Sequence, residues 1–402
     1  MGAAGCVLAG GTAYAGTVSS SVHIIWDDVF TTYDFGPHHP LRPLRLELTM
    51  ELSRQLGLLH RPNVSVVAPS PAADDVLQLV HDPGYIAAVR AAPDDIMERF
   101  SRRYGLGRGD NPIFDRMHES AALVTGATVN AAKAVWSGAA QHAMNISGGL
   151  HHAMRDRASG FCIYDDPAVA IAWLLTQGAE RIAYVDIDVH HGDGVQAAFY
   201  GDPRVLTVSL HESGEHLFPG TGFAHEVGTG DGRGTSVNVA LPVGTDDASW
   251  LGAFTDVVPP VLRAFRPQLI LTQLGCDTHA LDPLAHLALT VDGQRAAYRL
   301  LHDLAHELCD GKWVAVGGGG YEIVHVVPRA WSHAIAEMVG ATVEGATPDD
   351  WREFAFARSG QRAPLDLRDG AALRTASVAT ADAVTRAVAA TQRAVFPLLG
   401  VA

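Results

Sequence analysis

The sequence predicts an α/β protein, one domain of three layers with helices on both faces of a mostly parallel central sheet. Three observations predict it. Apolar stretches of strand length alternate with longer stretches of helical spacing along most of the 402 residues, the pattern of repeated strand–helix–strand units. Leu269–Leu274 reads as a continuous buried strand, as expected where helices cover both faces of a parallel sheet. Residues with reactive side chains gather where apolar strands end, the edge at which such sheets bind ligands.

In chain order, residues 1–22 are small and apolar but lack a basic n-region, so they read as a loose lead-in rather than a signal peptide. His23–Phe30 is the first predicted strand. The segment from Tyr33 to Pro43 carries too many prolines for a helix or central strand. His38 and His39 beside Pro40 are either loop histidines or part of a site lining. Leu44–Leu56 is helical on Leu44, Leu48, Leu52 and Leu56. Val64–Ala68 is a short strand, and Ala73–Ala91 a helical pair broken at Asp82-Pro83-Gly84. Tyr104–Phe114, punctuated by glycine, is a surface loop. Met117–Ser137 is a long alanine-rich helix packed closely on another layer.

The second half repeats the pattern. Strand Gln141–Gly149 leads into His151-His152, and helix Ala168–Gln177 leads to strand Ile182–Val189. Helix Val195–Tyr200, strand Val205–Leu210, loop His211–Gly222 and strand Val237–Leu241 follow. Helix Trp250–Phe265, strand Leu269–Leu274, helix Gln294–Leu308 and strand Trp313–Val316 complete the set. Past Gly340 the chain turns polar, and Asp382–Val395 is amphipathic on Val384, Val388 and Val395. No repeat or linker divides the chain. Residues 23–402 therefore read as one domain, with 341–402 as a helical extension packed on it.

Composition narrows the function. A formal charge of −15 argues against nucleic acid as a direct ligand, because phosphate binding needs clustered Lys and Arg. Cys6, Cys162, Cys276 and Cys309 form no Cys-x-x-Cys pair, which fits a reducing compartment and opposes a thiolate zinc site. No apolar run approaches the roughly 20 residues of a membrane span. A cytoplasmic location is the default expectation.

The most informative stretch is Ala183–Gly194. Asp186, Asp188 and His190 alternate with apolar residues, so a strand would put all three on one face. Two carboxylates and an imidazole at a strand end are costly to bury unless a cation binds them, and Zn²⁺ is the first candidate. His151/His152, Asp277 and Tyr321 also follow predicted strands. Asp188, His190 and Asp277 would give three metal ligands and leave a position open, as in catalytic sites. His151 and His152 can relay protons, with Asp186 and Asp193 to orient them. Tyr321 follows Gly317–Gly320, whose spacing is not that of a phosphate loop; the glycines instead allow close backbone approach. Its hydroxyl can serve a developing oxyanion. Phe218, in a glycine-rich loop, either lines a site or packs on the body. These parts describe hydrolysis of an amide or related carbonyl bond.

The sequence also resembles the zinc-dependent histone deacetylases. The resemblance rests on Gly148-Gly-Leu-His-His-Ala153, Gly160-Phe-Cys162, Val185-Asp-Ile-Asp-Val-His-His-Gly-Asp-Gly194, Phe218-Pro-Gly-Thr-Gly222, Gln273-Leu-Gly-Cys-Asp277 and Gly317-Gly-Gly-Gly-Tyr321. Phe35–Pro40, Asn111–Phe114, Val327–Trp331 and Arg393–Pro397 make it most similar to the bacterial acetoin-utilisation branch. The resemblance implies the arginase/deacetylase fold, with Zn²⁺, or Fe²⁺ as in some members, on Asp188, His190 and Asp277. It implies His152, held by Asp193, as general base and acid, with His151, held by Asp186, as its electrostatic partner, and Tyr321 polarising an acetyl carbonyl. Gly160, Phe161 and Phe218 would line a narrow tunnel for lysine methylenes with Leu284 near the rim, and Asp110 would clamp the substrate backbone. A structural K⁺ involving Asp186, Asp188, His190, Ser209 and Leu210 is a further implication. So is an acetylated protein substrate, acetyl-CoA synthetase first, with small acetylated amines as the alternative.

Arginase-type enzymes share that fold but need further aspartates for a second metal, where this chain has Gly192 and His279. That reading is set aside. His279 and His286 have no assigned role and are expected at the surface or rim.

Overall fold

The computed structural model describes residues 20–401 except 96–98, 108, 371–372 and 374. Most of the lead-in, including Cys6, lies outside the described residues. In chain order the elements are β1 (Val22–Ile25), α1 (Leu44–Gln55), β2 (Val64–Val67), α2 (Asp74–Leu77), α3 (Pro83–Ala91), α4 (Met117–Trp136), β3 (His142–Asn145), α5 (Asp166–Thr176) and β4 (Ile182–Asp186). Then come α6 (Asp193–Phe199), β5 (Val205–Glu212), β6 (Ser236–Leu241), α7 (Asp247–Phe265), β7 (Leu269–Gln273), α8 (Val291–Cys309), β8 (Trp313–Val316), α9 (Val327–Met338), α10 (Asp349–Ser359) and α11 (Val378–Leu399).

The eight strands form one sheet in the order β2-β1-β3-β8-β7-β4-β5-β6, every pairing parallel. Every residue of β3, β4, β7 and β8 is buried, so helices cover both faces at the centre. α4 packs on β1, β3 and β8 and against α5, while α1, α9, α8, α7 and α11 succeed one another in a second layer. The apolar stripe on α11 that the sequence marks is buried, with Val384, Val388 and Val395 facing inward. α11 lies along the edge strand β6, where Thr391 Oγ1 donates to the Asn238 carbonyl at 2.5 Å. Trp351 of α10 is buried, and its indole donates to the Leu48 carbonyl of α1.

Several boundaries differ from the predicted ones. The first strand stops at Ile25 rather than Phe30, because Asp27 accepts a hydrogen bond from the Val29 amide and starts a 3₁₀ turn. The strand predicted to reach Val189 ends at Asp186. There the Asp186 carboxylate accepts from the Asp188 amide, and Asp188 in turn from the His190 amide. These local side-chain bonds replace the ladder and hold the segment in a bend. Neither α9 nor α10 was predicted, although Arg329, His333 and Glu337, four residues apart, mark one face of the largely buried α9.

One buried histidine makes stability depend on acid. His81 Nδ1 lies 3.0 Å from the Met154 carbonyl, and its Nε2 accepts from the Asp165 amide at 3.0 Å. Both nitrogens are thus used by the neutral ring, and burial pushes its pKa down to about 4. The unfolded ring titrates near 6.5, so stability is full above that pH and falls as pH drops toward 4. Between pH 7 and pH 5 the loss from this ring should be about 2 kcal/mol. Urea midpoints at the two pH values should differ less in His81→Gln than in the parent; equal slopes would remove His81 from this role.

Candidate active site

The four central strands β3, β8, β7 and β4 are neighbours, and the loops leaving their carboxyl ends carry the predicted groups. His151 and His152 follow β3, Asp186–His190 end and follow β4, Asp277 follows β7 and Tyr321 follows β8. Chain order and sheet order part company here, since β3 adjoins β8, and this is where open α/β sheets form ligand crevices.

Asp188, His190 and Asp277 are buried, and one donor atom of each lies within 4.8 Å of the other two. His190 Nδ1 is 3.1 Å from both Asp188 Oδ1 and Asp277 Oδ2. Both carboxylates are held from behind. Asp188 Oδ2 accepts from Gln273 Nε2 at 2.6 Å and the Gly319 amide at 2.7 Å, while Asp277 Oδ1 accepts from the Val189 amide at 2.9 Å. Glycine is required around them: a Cβ on Gly275 would stand 2.0 Å from Asp188 Oδ2, and one on Gly319 1.9 Å from Asp277 Oδ2. Burial and the Asp188 charge push Asp277 up to about 8. Burial would lower His190, but Asp188 and Asp277 override it and raise it to about 10. A cation between these groups would favour their deprotonated forms, and two carboxylate oxygens with one imidazole nitrogen suit Zn²⁺. The residues fit a divalent metal.

Beside this cluster stand two histidines with opposite electrostatics. His151 Nδ1 is 2.7 Å from Asp186 Oδ2, and His152 Nδ1 is 2.7 Å from Asp193 Oδ1. Their Nε2 atoms face each other at 3.1 Å. For His151, burial lowers the pKa but Asp186 and Asp188 outweigh it, lifting it to about 9. For His152, burial and the neighbouring His151 charge bring it down to about 4. At neutral pH the pair therefore holds one proton, on His151, and leaves His152 as the base.

Gly160 has φ +51°, and a Cβ there would lie 2.5 Å from His152 Cδ2 and 2.9 Å from Phe218 Cε1. Phe218 packs edge-on over His152 at 4.9 Å and is 43% exposed, so it stands between the histidines and solvent. Phe161 meets Tyr321 at 5.8 Å. Leu284 is half-buried, its amide donating to Asp282, whose other oxygen accepts from the Tyr321 amide. Burial and the charges of Asp277 and Asp188 hold the Tyr321 hydroxyl well above 10. Asp110 is exposed, and its carbonyl lies 3.2 Å from His39 Nε2. Asp186 and Ser209 are register partners on β4 and β5, and Ser209 Oγ is 2.8 Å from His211 Nδ1.

A family profile described as Histone deacetylase domain matches residues 39–338. The chain belongs to the histone deacetylase family. It is 44% identical over 328 residues to the acetoin utilization protein AcuC of Bacillus subtilis (strain 168), covering 81% of this chain and 84% of that protein. AcuC of Staphylococcus xylosus is 39% identical over 321 residues, 79% of this chain and 83% of that one. The crystal structure of an HDAC homologue from Aquifex aeolicus superposes with a TM-score of 0.81 at 29% identity, covering 92% of this chain and all of that one. An HDAC homologue complexed with SAHA superposes with the same TM-score. This histone deacetylase family member is accordingly a deacetylase with the arginase/deacetylase fold.

Sequence reasoning missed three supports of this deacetylase's site, Asp166, Arg45 and Tyr33, and left a fourth, His39, as either a loop histidine or part of a lining. Asp166, buried, accepts from the amides of Gly149 and Leu150 and from Thr128 Oγ1, which pins the turn presenting His151 and His152. Arg45, buried on α1, donates to the carbonyls of Gly318 and Gly320 and lies 5.0 Å over the Trp331 ring. An arginine sharing a helical face with Thr49 and Leu52 was the available signal. Tyr33 donates to the Phe161 carbonyl and accepts from the Ile163 amide, and His39 packs on the Phe161 ring at 4.5 Å.

One position is corrected. His279, expected at the surface or rim, is buried. Its Nε2 is 2.9 Å from Asp369 Oδ2, which also accepts from the Val291 amide, while Asp369 Oδ1 takes Arg329. It thus ties the loop after β7 to the start of α8 and to the C-terminal region. His286 is exposed and meets Glu212 at 2.9 Å. At Gly192 a Cβ would stand 2.3 Å from Asp186 Oδ2, which leaves no space for the extra carboxylate of a two-metal site. Among the described residues no helix is long and apolar enough to cross a membrane.

Proposed function

We propose that this deacetylase hydrolyses the amide of N6-acetyl-lysine in protein substrates and releases acetate. The observation that carries the reading is geometric: His151 and His152, each held by its own carboxylate and 3.1 Å apart, stand beside three crowded metal donors. Asp188, His190 and Asp277 would hold Zn²⁺, which when bound supplies Lewis acidity toward an amide carbonyl and a water. Fe²⁺ suits the same donors.

The chain's own groups account for the remaining steps. His152 Nε2 takes the proton of the attacking water, with Asp193 fixing the ring so that Nε2 carries the lone pair. It then returns the proton to the departing lysine nitrogen. His151, kept charged by Asp186 and Asp188, favours negative charge building beside it. The neutral Tyr321 hydroxyl donates to the acetyl oxygen as that oxygen becomes an oxyanion. Phe161 and Phe218 exclude water from the lysine methylenes. A K⁺ held by Asp186, Asp188, His190, Ser209 and Leu210 would stiffen the bend that presents the metal ligands.

The names of the AcuC relatives speak of acetoin utilization, and acetylated acetyl-CoA synthetase is the partner we propose, in the cytoplasm. Acetate release from that protein, an acetyl-lysine peptide and acetylspermidine tests the reading. The two lysine substrates should exceed acetylspermidine in kcat/KM; the reverse order would sink it. Asp110→Ala should lower kcat/KM on the peptide roughly 10- to 100-fold, the worth of hydrogen bonds to a charged acceptor, and spare acetylspermidine. Equal losses on both would show that Asp110 is no backbone clamp.

A further inference from the structure

At the end of the sheet opposite the active site, three imidazoles meet. His142 opens β3 and is buried, while His302 and His306 lie one turn apart on α8, half-buried and exposed. His302 Nε2 is 3.2 Å from His142 Nε2 and 3.0 Å from His306 Nε2. One ring nitrogen of each lies within 4.8 Å of the other two.

Hydrogen bonding alone does not satisfy this arrangement. A neutral imidazole nitrogen offers either one N–H or one in-plane lone pair. His302 Nε2 can therefore complete a well-aligned bond with one neighbour only, and the other contact is left weak or repulsive. Protonation gives no relief, since burial and the neighbouring rings push His142 down to about 3, and burial and His306 bring His302 to about 4. None of the three rings hydrogen-bonds a carboxylate among the described residues.

We propose that His142, His302 and His306 form a second metal site, for a divalent cation of the Zn²⁺ class. Three convergent lone pairs become favourable together once a cation lies between them, and imidazole suits zinc, copper and nickel. Tetrahedral zinc with Zn–N bonds of 2.0–2.1 Å sets its nitrogens about 3.3 Å apart, close to the 3.2 Å and 3.0 Å that separate His302 from His142 and His306, while His142 and His306 lie within 4.8 Å of each other. The surroundings also fix the rings. His302 stacks on Trp313 at 5.5 Å and 27°, and Trp313 is the register partner of His142. His142 Nδ1 has no hydrogen-bond partner, while its Nε2 faces His302. The bound ion would staple α8 to the start of β3, with the fourth position toward solvent beside His306.

Zinc content per chain, measured after adding excess Zn²⁺ to enzyme already loaded at the catalytic centre and removing unbound ion, tests this. The parent should hold two equivalents, and the second should raise Tm by a few degrees. His306→Gln should weaken the second site at least tenfold and His302→Ala should abolish it, with the catalytic equivalent and acetate release unchanged. One equivalent in the parent, or a second equivalent retained by the His302→Ala/His306→Gln double variant, overturns the proposal. Should His302→Ala not fold, the exposed His306→Gln carries the test alone.

Discussion

Asp277→Asn is expected to leave a folded chain that has lost the catalytic metal and, with it, turnover. Asparagine keeps the Oδ1 atom that accepts the Val189 amide, so the loop after β7 stays anchored. What changes is the oxygen 3.1 Å from His190 Nδ1, which becomes an NH₂ that can neither ligate nor accept. A metal contributes several kcal/mol of transition-state stabilisation, so acetate release should fall on the order of 10³-fold or more. Asp188→Ala would be less clean, because Asp188 also accepts from Gln273, the Gly319 amide and the His190 amide, and emptying that position removes buried hydrogen bonds as well. Circular dichroism beside metal analysis separates the two effects. An Asp277→Asn enzyme with a full catalytic equivalent and full rate would end the assignment of the ligands.

Tyr321→Phe should behave differently, keeping the metal and losing rate. The ring's contact with Phe161 and the amide bond to Asp282 do not involve the hydroxyl, so the loop should hold its place. Loss of one oxyanion donor predicts a kcat lower by roughly 10²–10³, with KM changed only a few-fold. A variant that raised KM and kept kcat would make Tyr321 a binding group instead.

The contrast between legible and hidden parts of this site is physical. The spacing of Asp186, Asp188 and His190 predicted that they gather at a strand end, as they do, by an argument that holds only in part. Strand alternation ends at Asp186, and the period of two continues because each aspartate bonds the amide two residues on. A bend of this kind and a strand have the same sequence signature. The parallel sheet and the polar strand ends were legible because each is a local pattern. Arg45 and Asp166 were not, since their partners lie at Gly318, Gly320, Gly149 and Leu150, and only the finished fold brings those amides and carbonyls to them. His279 was misplaced for the same reason, its partner Asp369 being 90 positions away. α9 went unread although Arg329, His333 and Glu337, four residues apart, mark a polar face along it.

The seating of α11 along β6 bears on how the margin of the sheet is guarded against other chains. A sheet's outermost strand offers unused carbonyls and amides to any passing chain. Here Thr391 claims the Asn238 carbonyl, and the valines of α11 shield the apolar flank beside it. A chain cut before Val378 would bare that margin, and strand-to-strand adhesion between copies would follow even with every reactive group still in position.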